Sequence, residues 1–475
     1  MDCYQHNLTL DCLINIFTFL SEEDLIRASC VCKDWNEAAE TQWLWREMCL
    51  HRWGFCNMGQ LLSGTGEFTW KRYYLHRSRL EQNMKSGRSG GDYTCTTLRG
   101  HTGRIVGFSY LADNTTLQDV WTSSPVVCSA STDGTITAWD VHKGEKLWSS
   151  SAQNPLTCIV TDRQRDVVMT SDSAGTIQTW QGQTGAMLAS FPTGASRCAL
   201  LSFSQDADSF LLVGTTLGSL LVLSSPDLSK ISGHVVCDSF RLNVLLTSPD
   251  HNWILAASSE SSDLSPKVFW SSSVCRSVED DEPLCSSLPV GGCRAAVFLP
   301  SQPARVAVIH SGAQLNQTAL TMFDLSLKKS KYKQELQAQQ VESFQLDLKA
   351  PHVHVILQAK GNGTLLLTDA NELRVYTIKG AVIASFTDHV LPITSLCVQD
   401  HFRVVTASQD LSLRVLTWRN DRDKGLVLES QYHLLGGSHT TSRGFTGVEC
   451  DYASIVASVE AVNGRDALKA YVFHS

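Results

Sequence analysis

From Tyr93 onward the chain repeats one local signature: a short run of alternating apolar residues, a large side chain near its end, then a turn. The large residues are Trp139, Trp180, Leu223, Trp270, Phe323 with Asp324, Tyr376, Trp418 and Phe473, spaced about 41 to about 55 residues apart. A period of two with turn residues every eight to twelve positions or so signals strands. Self-similarity at such a spacing signals small units that cannot bury an apolar face alone and must stack on their neighbours. Eight endings predict eight units, the alternative being seven with one run serving as an insertion. The run TCTTL before Gly100 is expected to pair with the last unit around Ala467 to Phe473, closing a ring and removing its exposed edges.

The clearest unit reads LRGH, then GRIVGFSY, then VVCSASTDGTITAWD, with Gly100-His101 near its start and Trp139-Asp140 at its end. This resembles a WD repeat, which implies an all-β WD40 propeller over 93–475. Within the unit His101, Ser129, Asp133 and Trp139 can form a buried hydrogen-bonded set that holds successive strands in register. The expected role is structural, so neither His101 nor Asp133 reads as a catalytic acid or base. The motif decays along the chain: Ala174 and Leu217 stand where Asp133 stands, and the Leu223 unit has no tryptophan.

The segment before this array has a different period. Leu10, Leu13, Ile14, Phe17 and Leu20 recur at three- and four-residue spacing and form one face of a helix. Ser21 caps a second helix with Asp24 three residues on, and Glu22 and Glu23 suit its positive first turn. Leu25, Ala28, Val31, Cys32, Trp35, Ala39, Leu44, Trp45, Met48 and Cys49 follow. These three or four short helices carry more large apolar side chains than a fold of about 45 residues can hide, so the segment needs a partner.

In order, Leu8, Leu13-Ile14-x-Ile16-Phe17-x-Phe19-Leu20, Asp24-Leu25, Val31-Cys32-Lys33-x-Trp35-Asn36 and Leu44-Trp45-Arg46 closely resemble an F-box, placed at 1–53. The resemblance implies docking onto Skp1, the adaptor that joins a substrate receptor to a cullin–RING ubiquitin ligase. Leu8, Ile16, Phe17, Leu20, Leu25, Val31, Cys32, Trp35 and Trp45 stand where that family keeps apolar partner-facing or core residues, and the resemblance offers them as the Skp1-binding set. Thr9 departs from the proline usual after the first leucine, but threonine also begins helices.

Residues 54–92 read as a linker. Glu67 to Lys85 suggests a basic helix with Phe68, Tyr74 or Leu75, and Leu80 on its buried side, and it resembles the helix that follows the F-box in relatives with WD repeats. A solvated basic spacer is the plain alternative. SGRSGGD, Ser86 to Asp92, is the strongest break in the chain.

A net charge of -8 argues against a general nucleic-acid binder. No apolar run approaches about 18 residues and the N-terminus lacks the basic and apolar regions of a signal peptide, which together predict no membrane and a cytoplasmic or nuclear protein. The sixteen cysteines sit mostly in strand-like runs such as PVVCSAS, LTCIV and LCVQD and are expected as reduced core residues. Cys49, His51 and Cys56 lack a second pair at zinc-site spacing, so neither metal nor other cofactor is expected. There is no G-x-S-x-G, P-loop or H-E-x-x-H, and the chain does not read as an enzyme.

Two runs look like surface loops: Ser271 to Ser287, acidic with Ser277 as a phosphate acceptor, and Lys328 to Gln340, an extended connection between blades. Arg104, Arg197 and Arg294 precede the innermost strands of their blades, with Arg241 and Arg443 at or near that place. Such guanidinium groups, aimed at one face, suit bidentate binding of phosphate or carboxylate. The resemblance therefore implies a monomeric substrate receptor of a Skp1–cullin–F-box ligase, holding an acidic or phosphorylated degron there. The alternative is a propeller scaffold that binds Skp1 or another partner without delivering substrates for degradation.

Overall fold

The computed structural model describes residues 8–53, 69–111, 125–276, 282–311, 317–329, 334–349, 354–361, 363–399, 403–421 and 425–474. It divides into two compact units, a helical one that ends near Thr94 and a β-ring formed by the rest.

The helical unit contains α1 (Leu10–Phe17), α2 (Glu22–Ala28), α3 (Lys33–Ala39), α4 (Gln42–Trp53) and α5 (Trp70–Ser86). Thr9, Ser21 and Thr69 cap α1, α2 and α5 by accepting from the backbone N–H of Cys12, Asp24 and Arg72. The Ser21 hydroxyl also donates to the Asp24 carboxylate at 2.8 Å, a second tie between the cap and the first turn. Gly87 ends α5 at φ 56, the left-handed conformation that glycine reaches without strain. Leu13, Phe17, Leu25, Ala38, Leu44, Trp45, Cys49, Tyr73 and Tyr74 form one core. The Trp45 indole N–H, deep in it, donates to the Ala39 carbonyl at 2.7 Å.

α5 is therefore no solvated spacer: Tyr73, Tyr74, Leu80 and Met84 are all buried. Its basic residues lie over apolar ones, as Arg77 does 4.3 Å from the Trp53 ring centroid. Arg52 joins three helices by donating to Glu22 (2.9 Å), Ser78 (3.0 Å), Tyr74 (3.1 Å) and Glu81 (3.3 Å). Phe68 and Cys56 lie outside the described residues.

The ring is an eight-bladed WD40 propeller, each blade an antiparallel four-stranded sheet; the seven-bladed alternative is set aside. In order, the inner strands are Ile105–Tyr110, Leu156–Asp162, Ala199–Gln205, Val244–Thr247, Cys293–Leu299, Leu357–Lys360, Ile393–Val398 and Ser442–Cys450. Each neighbours the inner strands on either side around the ring. All eight of the large residues noted above lie in the third strands of successive blades. Blade 8 takes its outer strand, Tyr93–Leu98, from the start of the array, paired to Ala467–Phe473. Cores form between blades rather than within them; Phe108, Val127 and Trp139 of blade 1, for example, pack with Val456, Leu468 and Val472 of blade 8.

Two loop expectations are corrected. Lys328 to Gln340 does not connect blades, because Thr318–Lys329 and Gln334–Leu346 pair along their length inside blade 5, with one register shift between Met322 and Phe323. Leu325, Leu327, Leu336 and Ala338 pack against the core between blades 4 and 5, which holds this strand pair in place despite its glutamines. Ser271 to Ser287 is not simply a surface loop either: Ser271–Val274 is a helical turn with both ends buried, and Cys285–Ser287 is the outer strand of blade 4. Ser277 and the acidic residues to Asp281 lie outside the described residues.

Candidate functional site

The helical unit sorts its apolar residues into two sets. Phe17, Leu25 and Trp45 are at most 1% exposed and belong to the internal core, so of the two roles expected, partner-facing or core, they take the core one. Trp35 and Leu20 are half-buried, with the Trp35 ring edge-on to Phe17 at 5.4 Å. Leu8, Ile16, Val31 and Cys32 are exposed, Val31 by 62%. Phe19, at 90%, Ile26 and Trp43 are exposed too, although the expected partner-binding set omits them, and Leu10 is exposed while Leu13 and Phe17 on the same stripe are buried. The missed signal was the spacing of Ile16 and Phe19, which turns a second apolar stripe away from Leu13 and Phe17. The folded unit thus leaves Phe19, Val31, Leu8 and Ile16 in water beside a well-packed core.

In the ring, His101, Ser129, Asp133 and Trp139 meet. The His101 Nε2 and the Trp139 indole N–H reach the Ser129 hydroxyl at 2.8 and 2.9 Å. His101 Nδ1 lies 3.4 Å from Asp133 and 3.0 Å from the Thr135 hydroxyl. Burial pushes the Asp133 carboxyl up, but hydrogen bonds from Thr135 and the Thr102 N–H outweigh it and hold the pKa at about 2. Burial also lowers the His101 pKa against the pull of Asp133. A neutral imidazole and an ionised carboxylate at neutral pH make a fixed latch between strands.

Blade 7 holds a partial copy that the sequence reading missed. His389 contacts Thr406 at 2.8 Å and Asp410 at 3.0 Å. The signal was SQDLS, which parallels STDGT around Asp133. The tryptophan is displaced: Leu416 occupies the position equivalent to Trp139, and Trp418 instead lies under Lys360, 4.5 Å from its ring centroid.

The five arginines do not occupy one register. Only Arg104 immediately precedes an inner strand; Arg294 and Arg443 lie inside theirs, and Arg197 and Arg241 fall short of theirs. Arg104 and Arg443 meet on one carboxylate, that of Glu460, with Arg443 at 3.5 Å. Arg294 is half-buried and donates to the Thr318 hydroxyl at 3.2 Å, and burial lowers its pKa. Arg241 is half-buried, while Arg197 is exposed and takes a left-handed φ of 52. Arg104 and Arg443 thus share a local acid, and the other three stand at different offsets from their inner strands.

Strands alternate in direction, so the turns between second and third strands and the connections between blades lie at the end where inner strands begin. That end also exposes Leu217, Val235, Phe240, Val390, Leu435 and Val462. Its surface is therefore mixed, aliphatic and aromatic as well as basic. Among the described residues no helix is long and apolar enough to cross a membrane, and no group of three or more His, Cys, Asp or Glu residues could hold a metal ion.

A family model described as F-box-like matches residues 10–51. The chain is 30% identical to human F-box/WD repeat-containing protein 12 over 97% of both chains. It is 26% identical to mouse F-box/WD repeat-containing protein 15 over 98% of both. Among solved structures, the computationally designed Ika8 protein superposes on 81% of this chain and all of its own with a TM-score of 0.56 at 19% identity, a likeness of fold alone.

Proposed function

Because this chain belongs to the F-box/WD repeat-containing proteins, we propose that it is the substrate-recognition component of a Skp1–cullin–F-box ubiquitin ligase. The observation that carries this reading is the solvent-exposed apolar set Leu8, Ile16, Phe19 and Val31 on an otherwise well-packed helical unit. Skp1 covers that set, and Leu20, Cys32 and Trp35 line its margin, while Phe17, Leu25 and Trp45 act indirectly by holding the helices in place. The ring binds a protein substrate at the end where its inner strands begin. There Arg104 and Arg443, with Arg197, Arg241 and Arg294 around the same end, receive an acidic or phosphorylated segment that competes with Glu460. The chain is a non-catalytic adaptor working in the cytoplasm or nucleus, and it needs no cofactor. Ubiquitin transfer belongs to the cullin-bound E2, and this protein supplies proximity.

The test compares capture of purified Skp1 by the full chain and by an Ile16→Asp/Phe19→Asp/Val31→Asp variant, followed by ubiquitination of co-purifying proteins in a reconstituted ligase. Loss of Skp1 and of substrate modification in the variant alone supports the reading. Equal capture by both forms overturns the assignment of this face. Capture of Skp1 without modification of any bound protein favours a non-degradative scaffold.

A further inference from the structure

Blades 7 and 8 meet along their inner strands, Ile393–Val398 and Ser442–Cys450. Two cross-blade hydrogen bonds fix their relative height: the Val448 N–H donates to the Ser395 hydroxyl at 3.2 Å, and the Gln399 side-chain amide donates to the Asp451 carbonyl. Ser395, Cys397 and Gln399 alternate onto one face of the chain, so Cys397 lies between these two bonds, at the level of Cys450. The Glu449 carboxylate accepts from the Tyr110 N–H of blade 1, so strand alternation turns the neighbouring Cys450 side chain the other way, toward blade 7 and Cys397. Each cysteine is half-buried, and both lie on strands that border the ring's axis.

We propose that Cys397 and Cys450 are a peroxide-responsive thiol pair that closes to a disulfide between blades 7 and 8. The two sulfurs are unequal. The hydrogen bond from Cys450 lowers the Cys397 pKa against burial, and Arg403 nearby acts in the same direction, whereas burial pushes Cys450 well up. Cys397 is then the nucleophile and Cys450 the resolving thiol. The Cys397 thiolate sulfur attacks one peroxide oxygen and the O–O bond breaks. The departing hydroxide takes the Cys450 proton and leaves as water. The Cys450 sulfur attacks the Cys397 sulfenic acid, the S–O bond breaks and a second water leaves once protonated by solvent. Two thiols lose two electrons, and hydrogen peroxide gains them. Burial raises both Cys158 and Cys198, which show no such asymmetry. Cys275 and Cys293 are pushed by burial up to about 12.

The sequence makes the test direct, because trypsin releases the two cysteines on separate peptides, 380–403 and 444–465, with no other cysteine in either. The full chain is treated with one equivalent of hydrogen peroxide, its remaining thiols are alkylated, and it is denatured, digested and analysed by mass spectrometry. The expected product is the linked peptide pair, released by dithiothreitol, with a raised thermal midpoint for the ring. Cys450→Ser keeps a hydroxyl donor beside Cys397 and should trap a sulfenic acid at 397 that dimedone labels, whereas Cys397→Ser should leave Cys450 unlabelled. Recovery of the two wild-type peptides separately alkylated while exposed cysteines oxidise would overturn the proposal, as would equal labelling of the two variants. The wild-type result does not depend on how either variant folds, and neither arm depends on the ligase role.

Discussion

In the ring, Tyr93–Leu98 bonds to Ala467–Phe473, and inter-blade cores such as that of Phe108 and Val456 leave no blade face uncovered along that seam. In the helical unit, five helices pack well around Trp45, yet Phe19 and Val31 remain 90% and 62% exposed. Both regions are built from units too small to bury their own apolar surface. The ring resolves this by closing on itself, whereas the helical unit leaves its surplus in water. Exposure of apolar side chains in one region and its suppression in the other separate recognition from scaffold without reference to any motif.

The contrast can be broken at its strongest points first. Trp45→Ala should destabilise the helical unit by about 3–5 kcal/mol and leave the ring's unfolding transition in place. Arg403→Ala should do the reverse. That guanidinium, fully buried, donates to the carbonyls of Asp451 at 2.7 Å and Ser454 at 3.0 Å and to the Gln399 side chain. Its removal leaves these acceptors unpaired at about 3–4 kcal/mol, read by chemical denaturation. A single shared transition lost in both variants would show that the two regions do not unfold separately.

Surface substitutions sharpen the comparison. Phe19→Ala with Val31→Ala should change stability by no more than about 0.5 kcal/mol while weakening Skp1 binding by about 30-fold, or ~2 kcal/mol, in calorimetric titration. Asp133→Ala removes an acceptor of four hydrogen bonds from Thr102 and Thr135. It should cost about 1.5 kcal/mol in ring stability and nothing in Skp1 affinity.

The smallest expected effect is a pH drift. Burial lowers the pKa of both His101 and His389 in the folded ring. The unfolded chain therefore takes up protons first as pH falls below about 6.5, and that part of ring stability is present above this value and declines beneath it. Thermal scans from pH 7.5 to 5.5 should show a falling midpoint in the wild type and a flatter one in His101→Gln/His389→Gln.

Much of this architecture was legible because each third strand carries a large residue, such as Trp139, Trp180 or Tyr376, that is buried or nearly so. Period and ending survive even where the latch residues have gone. Other features were not legible for physical reasons. An apolar residue on a short helix reads the same whether it faces inward or toward a partner, so Phe17 and Phe19 could not be told apart until the chain was folded. The basic residues of α5 hid its role, since Lys71 pairs with Glu40 and Arg77 covers Trp53 while Tyr73 and Tyr74 fill the core. The arginines differ in register because Arg104 precedes the first residue of its inner strand while Arg294 and Arg443 follow theirs, although the pairing shifts at the same place in all three, after Ile105, Cys293 and Ser442.

The closing strand of blade 8 has a consequence for how the protein is made. The ribosome delivers Tyr93–Leu98 long before Ala467–Phe473, so during most of synthesis the earliest strand of the array has no partner to bond. The helices can be complete and available to an adaptor while the propeller is still an open arc. Any premature stop within the last blade strands the first strand, leaving two raw edges for chaperones or other nascent chains to find.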